Sequence, residues 1–229
     1  MTCTACTPPP GAAGRVLHQD IPVYTQYATP QRIAAIAYTG DDPADDPAWP
    51  TTGAADRAEY GRWCRHCCGM ACLQMILHHR DGNTPPLLDL LRAGLPYGTY
   101  TTEPDGNIRG MFYAPFAAYL RHEHDLASTV HPHLDLHQLC GELSDHGRLV
   151  IASVHKEIRR PDRPPPGKGG HLVLVVGHDP HAATIDFLNP SGHTPDTRRA
   201  TLPFDVFAGF FGGRGISVTL TRVVPQLST

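Results

Sequence analysis

The chain has 229 residues, of which 41% are hydrophobic, and 19 Lys and Arg against 22 Asp and Glu give a net charge of −3. That length suits one domain with a sizeable core, and the slightly acidic balance excludes a basic surface for nucleic acid or anionic membrane. No apolar run approaches the ~20 residues that a membrane span needs, and the start, Met1-Thr2-Cys3-Thr4-Ala5-Cys6, has neither the basic nor the apolar part of a secretory signal.

In chain order, residues 1–14 are rich in Pro, Thr, Ala and Gly and read as a loose tail, with Cys3 and Cys6 at metal-compatible spacing. Ile21-Pro22-Val23-Tyr24-Thr25-Gln26 reads as a short extended segment. Thr29-Pro30 reads as a cap followed by proline at the first helical position; Ile33, Ile36 and Ala37 form the helix face, and Gly40 ends it. Asp41-Asp42-Pro43-Ala44-Asp45-Asp46-Pro47 lacks the regular spacing and glycine of a calcium loop and reads as a solvated turn.

The richest stretch is Trp63-Cys64-Arg65-His66-Cys67-Cys68-Gly69-Met70-Ala71-Cys72-Leu73-Gln74-Met75-Ile76-Leu77. Gly69, Cys72, Leu73, Ile76 and Leu77 recur at helical spacing and predict a helix from Gly69, with Cys68 at its start. A thiol there meets unpaired backbone N–H groups and the positive end of the helix dipole, which favour the nucleophilic thiolate. Gly69, lacking a side chain, leaves space for a substrate carbonyl. Two other readings of the stretch stand beside this one. Buried cysteines such as Cys72 serve as small core residues, and Cys64 with Cys67 has the spacing of half a zinc site.

Beyond it, Thr84-Pro85 reads as a second cap ahead of Leu87, Leu88 and Leu91. Tyr97 to Asn107 reads as a loop, and Phe112, Phe116, Tyr119 and Leu120 as a further helix with Pro115 in its first turn. His122 and His124 are two apart and point to different helix faces, which disfavours metal. Leu136, Leu139, Cys140 and Leu143 form another helix face, ending near His146-Gly147. Strands are expected at 149–154, 171–176, 183–188 and 215–220. Helices first and strands later predict an α+β fold with an antiparallel sheet.

A hairpin centred on Pro180 sets His171, opening one strand, beside Asn189, closing the next before Pro190. An amide oxygen beside an imidazole fixes its tautomer and aims its other nitrogen outward. With Cys68 at a helix start, these are the parts of a cysteine peptidase.

Cys68-Gly69-Met70-Ala71-Cys72-Leu73-Gln74-Met75-Ile76-Leu77 resembles the nucleophile helix of the bacteriocin-processing cysteine peptidases, family thirty-nine among cysteine peptidases, and their peptidase-like relatives in the papain-like superfamily. The resemblance implies a papain-like fold, an N-terminal helical half with the nucleophile helix packed on an antiparallel β-sheet, spanning roughly residues 20–221. It implies Cys68 as nucleophile, His171 as its partner and Asn189 as the third residue. The segment ending in Gln26 is similar to one whose glutamine helps form the oxyanion hole. Exporter-linked members carry that glutamine six residues before the cysteine, where this chain has Arg62.

The resulting expectation is a single cytoplasmic domain over residues 1–229, a cysteine peptidase acting on a peptide or amide through a thioester on Cys68. Neither cofactor nor metal, nucleic acid or membrane is expected. An acyltransferase or transamidase using the same thioester is the alternative, and a zinc-stabilised binding protein using Cys64, Cys67 and Cys3 or Cys6 is a third reading.

Overall fold

The computed structural model describes residues 14–144 and 147–220. Its strands are β1 (Val16–Leu17), β2 (Tyr100–Thr102), β3 (Ile108–Gly110), β4 (Ala127–His131), β5 (Arg148–Val154), β6 (His171–Asp179), β7 (Thr184–Leu188), β8 (Arg199–Pro203) and β9 (Phe211–Thr219). Its helices are α1 (Arg57–Trp63), α2 (Cys68–Asp81), α3 (Leu87–Gly94), α4 (Tyr113–His124), α5 (Leu136–Ser144), α6 (Pro195–Arg198) and α7 (Phe204–Phe210). The fold is α+β: a seven-stranded sheet runs β4-β9-β5-β6-β7-β8, with β1 also pairing β6, and every pairing is antiparallel.

Both faces of this sheet are covered, which is why its central strands read as unbroken apolar runs. Along β6, Leu172, Leu174 and Val176 pack with α2, α3 and α4 through Leu73, Ile76, Leu88 and Phe116. The alternate residues Val173 and Val175 pack on α5 and α7 through Leu139, Leu143, Phe207 and Phe210. Helix α2 is sandwiched between the sheet and the N-terminal half, so Gly69 through Leu77 are all buried and the expected single apolar face becomes the whole circumference. Burying Leu73 and Ile76 completely contributes roughly 1.5–3 kcal/mol each. Gln74 meets this environment by donating to the Pro85 carbonyl at 2.9 Å, and His78 Nδ1 pairs with the Tyr24 hydroxyl at 2.6 Å.

Several local expectations shift for identifiable reasons. α3 begins at Leu87, without a Thr84 cap, because Pro85 precedes another proline and is held away from helical backbone. The 30–40 segment is a distorted helical stretch that ends at Gly40, whose φ of 87° supplies the left-handed stop. The loop after Tyr97 contains the β2–β3 hairpin. Phe112 precedes α4 and is 41% exposed rather than core. In the acidic loop Asp46 is fully buried and accepts from Thr29 N–H, Thr29 Oγ1 and Ala48 N–H, so it is a structural tie between two turns. The tail, including Cys3 and Cys6, lies outside the described residues up to Gly14. Among the described residues no helix is long and apolar enough to cross a membrane.

Candidate active site

Cys68 is the first residue of α2, entered through a tight turn at Cys64–His66, and Cys67 precedes it without a side-chain cap. The neighbours that could have exchanged roles with it are committed elsewhere. Cys67 and Cys72 are fully buried in the core between α2 and the sheet, and Cys64 is fully buried in a separate cluster with Tyr27, Ile33, Ile36 and Tyr60. Cys140 is buried too, so among the described cysteines Cys68 alone keeps partial solvent access. It opens onto a cavity of about 300 Å³ that is also lined by His171, Leu172, Met111, Phe112, Tyr113, Ser153 and Arg214. Because Cys64 and Cys67 point into different clusters they do not form a common chelate, and no group of three or more His, Cys, Asp or Glu converges among the described residues.

His171 opens β6 opposite Val154 and is 6% exposed; Asn189, just past β7, is fully buried. Their side chains meet: His171 Nε2 and Asn189 Oδ1 are 2.9 Å apart. The register that brings them together differs from a hairpin centred on Pro180. Asp179 pairs with Thr184, and Asp179 Oδ1 accepts from the N–H groups of His181 and Ala182, so the turn lies one to two residues later. A bulge at Val176 then changes the pairing again, to Val175 with Phe187. Asn189 therefore reaches back to the histidine from beyond the strand end.

Ser191, a residue the sequence did not mark, completes this arrangement. Its N–H donates to Asn189 Oδ1 at 3.0 Å, and its Oγ lies 3.0 Å from His171 Nε2 and 3.2 Å from Asn189 Oδ1. A backbone N–H can only donate, so the Asn189 atom it meets is the oxygen. That oxygen must then receive its hydrogen bond from His171, which puts the ring proton on Nε2 and leaves Nδ1 as the basic nitrogen. A Ser at a strand-ending turn has no sequence signature separating it from ordinary turn chemistry.

Electrostatics modify the expectation of a ready-made thiolate. Burial pushes the Cys68 thiol up to about 11, against the pull of hydrogen bonds from the backbone N–H groups of Leu172, Gly69 and Cys68 itself. Burial lowers His171 to about 4, opposed by the Asn189 hydrogen bond and assisted by the positive charges of Arg159 and His155. Burial thus works against the charged form of each group.

One further expectation about this stretch is revised. The space above Gly69 is taken by Met111: a Cβ there would lie 2.0 Å from Met111 Cε and 3.0 Å from Leu172 Cδ1. A bare α-carbon at Gly69 thus admits a thioether over the helix start. Gln26 is buried, its N–H donates to the Pro190 carbonyl at 2.9 Å, and its Nε2 donates to the Cys64 carbonyl at 2.8 Å. It bridges the Asn189-Pro190 turn to the turn that enters α2, and its Oε1 has no partner among the described residues. Arg62 is exposed, lies 5.9 Å from the Trp63 ring centroid and donates to Thr102 Oγ1 at 3.2 Å, away from the cavity wall. His155, an alternative partner for the cysteine, uses its Nδ1 to accept from the Glu157 N–H at 3.2 Å.

The fold is similar to a known peptidase domain. One neighbour is the peptidase domain of Streptococcus ComA, described as a bifunctional ABC transporter involved in a quorum-sensing pathway. It has 13% identity and a TM-score of 0.46, covering 68% of this chain and 92% of that one. No family model matches the chain, and no curated protein matches it in sequence.

Proposed function

We propose that the protein is a cysteine peptidase, or an acyl-transfer enzyme of the same chemistry, folded as a single domain with Cys68, His171 and Asn189 as its catalytic machinery. The observation that carries this reading is the His171 Nε2–Asn189 Oδ1 contact at 2.9 Å, with the ring proton assigned to Nε2, on a histidine that shares a cavity with Cys68. In the attacking step His171 Nδ1 accepts the Cys68 proton as the sulfur bonds to the carbonyl carbon. The carbonyl π electrons move to oxygen, and Asn189 stabilises the imidazolium that forms. The intermediate collapses by expelling the amine, which takes the proton from Nδ1, and a thioester remains on Cys68. Water then hydrolyses it; an amine in place of water gives transfer.

Backbone N–H groups at the start of α2 face the site of the developing oxyanion, because the first turn of a helix has no internal acceptors for them. Gln26 has one amide N–H engaged by Cys64 and a second to offer, and serves as the further donor. A peptide or amide is the substrate class.

Limiting iodoacetamide tests the nucleophile. It should modify Cys68 ahead of Cys64, Cys67, Cys72 and Cys140, and the rate at Cys68 should fall in His171→Ala between pH 5 and 7. Preferential labelling of Cys64 or Cys67 in the native protein would overturn the assignment. An unchanged Cys68 rate in His171→Ala would transfer the base role to another histidine.

A further inference from the structure

We propose that Arg214, with the hydroxyls of Tyr113 and Ser153, forms a carboxylate-binding subsite in the Cys68 cavity, selecting substrates that carry an acidic group close to the scissile bond. This rests on the peptidase or acyl-transfer reading of the site and adds the substrate class that it would take.

The backbone shows why Arg214 is there. Between Val154–Phe211 and Ala152–Gly215, β5 advances two residues while β9 advances four. Gly212, Gly213 and Arg214 thus stand opposite the single residue Ser153, two more than the ladder can pair, and such a bulge re-aims a side chain away from its sheet neighbours. Gly213 takes the required left-handed backbone, with φ of 65°. Gly212 packs so closely on the incoming loop that a Cβ there would stand 3.0 Å from Gly169 Cα. Gly169 and Gly170 also have positive φ, 78° and 92°, and they lead directly into His171. A side chain at Gly169 would stand 3.0 Å from Arg214 Nη2 and 3.1 Å from Ser153 Oγ. The glycines therefore keep guanidinium and hydroxyl side by side and unobstructed on the wall that carries the histidine.

The chemistry of that wall selects an anion. No Asp or Glu lines the cavity. Arg32, Arg80, Arg92, Arg109, Arg148 and Arg160 each pair with a carboxylate; among the described residues Arg214, like Arg62, Arg65 and Arg199, forms no ion pair, and of these it is the one that lines the cavity. Tyr113 lines the same cavity, and the neighbouring Ser153 hydroxyl and Arg214 guanidinium oppose the upward push of burial on its phenol. A planar guanidinium whose acidic partner is missing from its own chain matches a carboxylate in two parallel hydrogen bonds.

The test compares two alkylating reagents of nearly equal size on the full chain, iodoacetate and iodoacetamide, at pH 7.5, with modification of Cys68 followed by peptide mapping. The quantity read is the iodoacetate-to-iodoacetamide rate ratio, normalised to a free cysteine peptide. It should exceed the free-peptide ratio in the native protein, fall roughly threefold or more in Arg214→Gln, and be partly retained in Arg214→Lys. The advantage of iodoacetate should also shrink as salt rises from about 20 to 500 mM, a reading that needs no variant. A ratio equal to that of the free peptide, or insensitive to Arg214→Gln and to salt, overturns the subsite while leaving the nucleophile intact. Failure of Cys68 to react with either reagent overturns the peptidase reading, and the subsite falls with it.

Discussion

Asn189 and Ser191 both meet the Nε2 proton of His171, at 2.9 and 3.0 Å, so removing either alone should cost less than its proximity suggests. In Asn189→Ala, Ser191 Oγ still accepts from Nε2, and the one group left stranded is the Ser191 N–H. An orphaned buried donor costs about 1–3 kcal/mol. The variant also deletes Asn189 Nδ2, which is buried without a partner among the described residues, so the loss of stability should sit at the low end, about 1–2 kcal/mol. For reactivity, the bond strengthens from neutral to charge-assisted as the imidazolium forms, and losing that increment, about 0.5–1.5 kcal/mol, slows the rate at Cys68 roughly two- to tenfold. Ser191→Ala should cost less still, since Asn189 remains. The double variant strands the Nε2 proton itself in a site only 6% exposed, and its loss should exceed the product of the two single losses, reaching roughly 10- to 100-fold. The assay is the second-order rate of iodoacetamide alkylation at Cys68 at pH 7, by mass spectrometry, alongside denaturant melts. A double variant that folds and alkylates Cys68 at the native rate would refute the assignment of the Nε2 proton and of Nδ1 as the base.

Three more outcomes follow from the same geometry. His171 is held near 4 by burial against an ordinary value of 6.5. The unfolded chain therefore binds more protons in that interval, and stability should rise with pH from about 4 to 6.5 by roughly 3 kcal/mol from this group. Chemical denaturation of native protein and His171→Gln at several pH values reads it as a difference, and equal acid limbs would contradict it. Gly192→Ala places a Cβ 2.3 Å from the Thr197 carbonyl oxygen, a backbone atom with no easy escape. It should destabilise by about 1–3 kcal/mol and, by shifting the Asn189–Gly192 turn, slow Cys68 alkylation; a melt and rate like the native protein's would contradict this. Gln26→Ala should lower the single-turnover acylation rate of Cys68 by roughly 10²–10³ while Arg62→Ala stays near native, and the reverse pattern would move the oxyanion donor to Arg62.

What the sequence displayed clearly were the features with strong local periodicity. Helix α2, the Leu136–Leu143 face and the apolar cores of β5, β6, β7 and β9 follow from spacing alone. β4 and β8 escaped notice because Ala127-Ser128-Thr129-Val130-His131 and Arg199-Ala200-Thr201-Leu202-Pro203 are short and carry no sustained apolar run. The pairing of His171 with Asn189 was expected for an incomplete reason. The hairpin turns later than Pro180 and β6 bulges, and the contact survives because Asn189 belongs to a turn braced by Ser191. Other features depend on tertiary proximity that no local pattern encodes: Ser191 on the histidine, Met111 over Gly69, and Gln26 between Cys64 and Pro190. The thiolate expectation weighed one influence of two. The N–H groups at the start of α2 do pull the thiol down, but desolvation is the larger effect and pushes it up. In the proposed mechanism, proton transfer to His171 is accordingly part of the attack.

The central claim is that Cys68 forms a thioester with an acyl group, and intact-mass detection of that acyl-enzyme tests it most directly. The protein is mixed with the p-nitrophenyl ester of an N-acylated amino acid, and both nitrophenolate release and the mass of the protein are followed. One acyl group per chain is expected, mapped to Cys68 and removed by hydroxylamine. It should be absent in Cys68→Ala and slowed in His171→Ala. Acylation that persists in Cys68→Ala, or native protein that accepts no acyl group while Cys68 remains a free thiol, would contradict it.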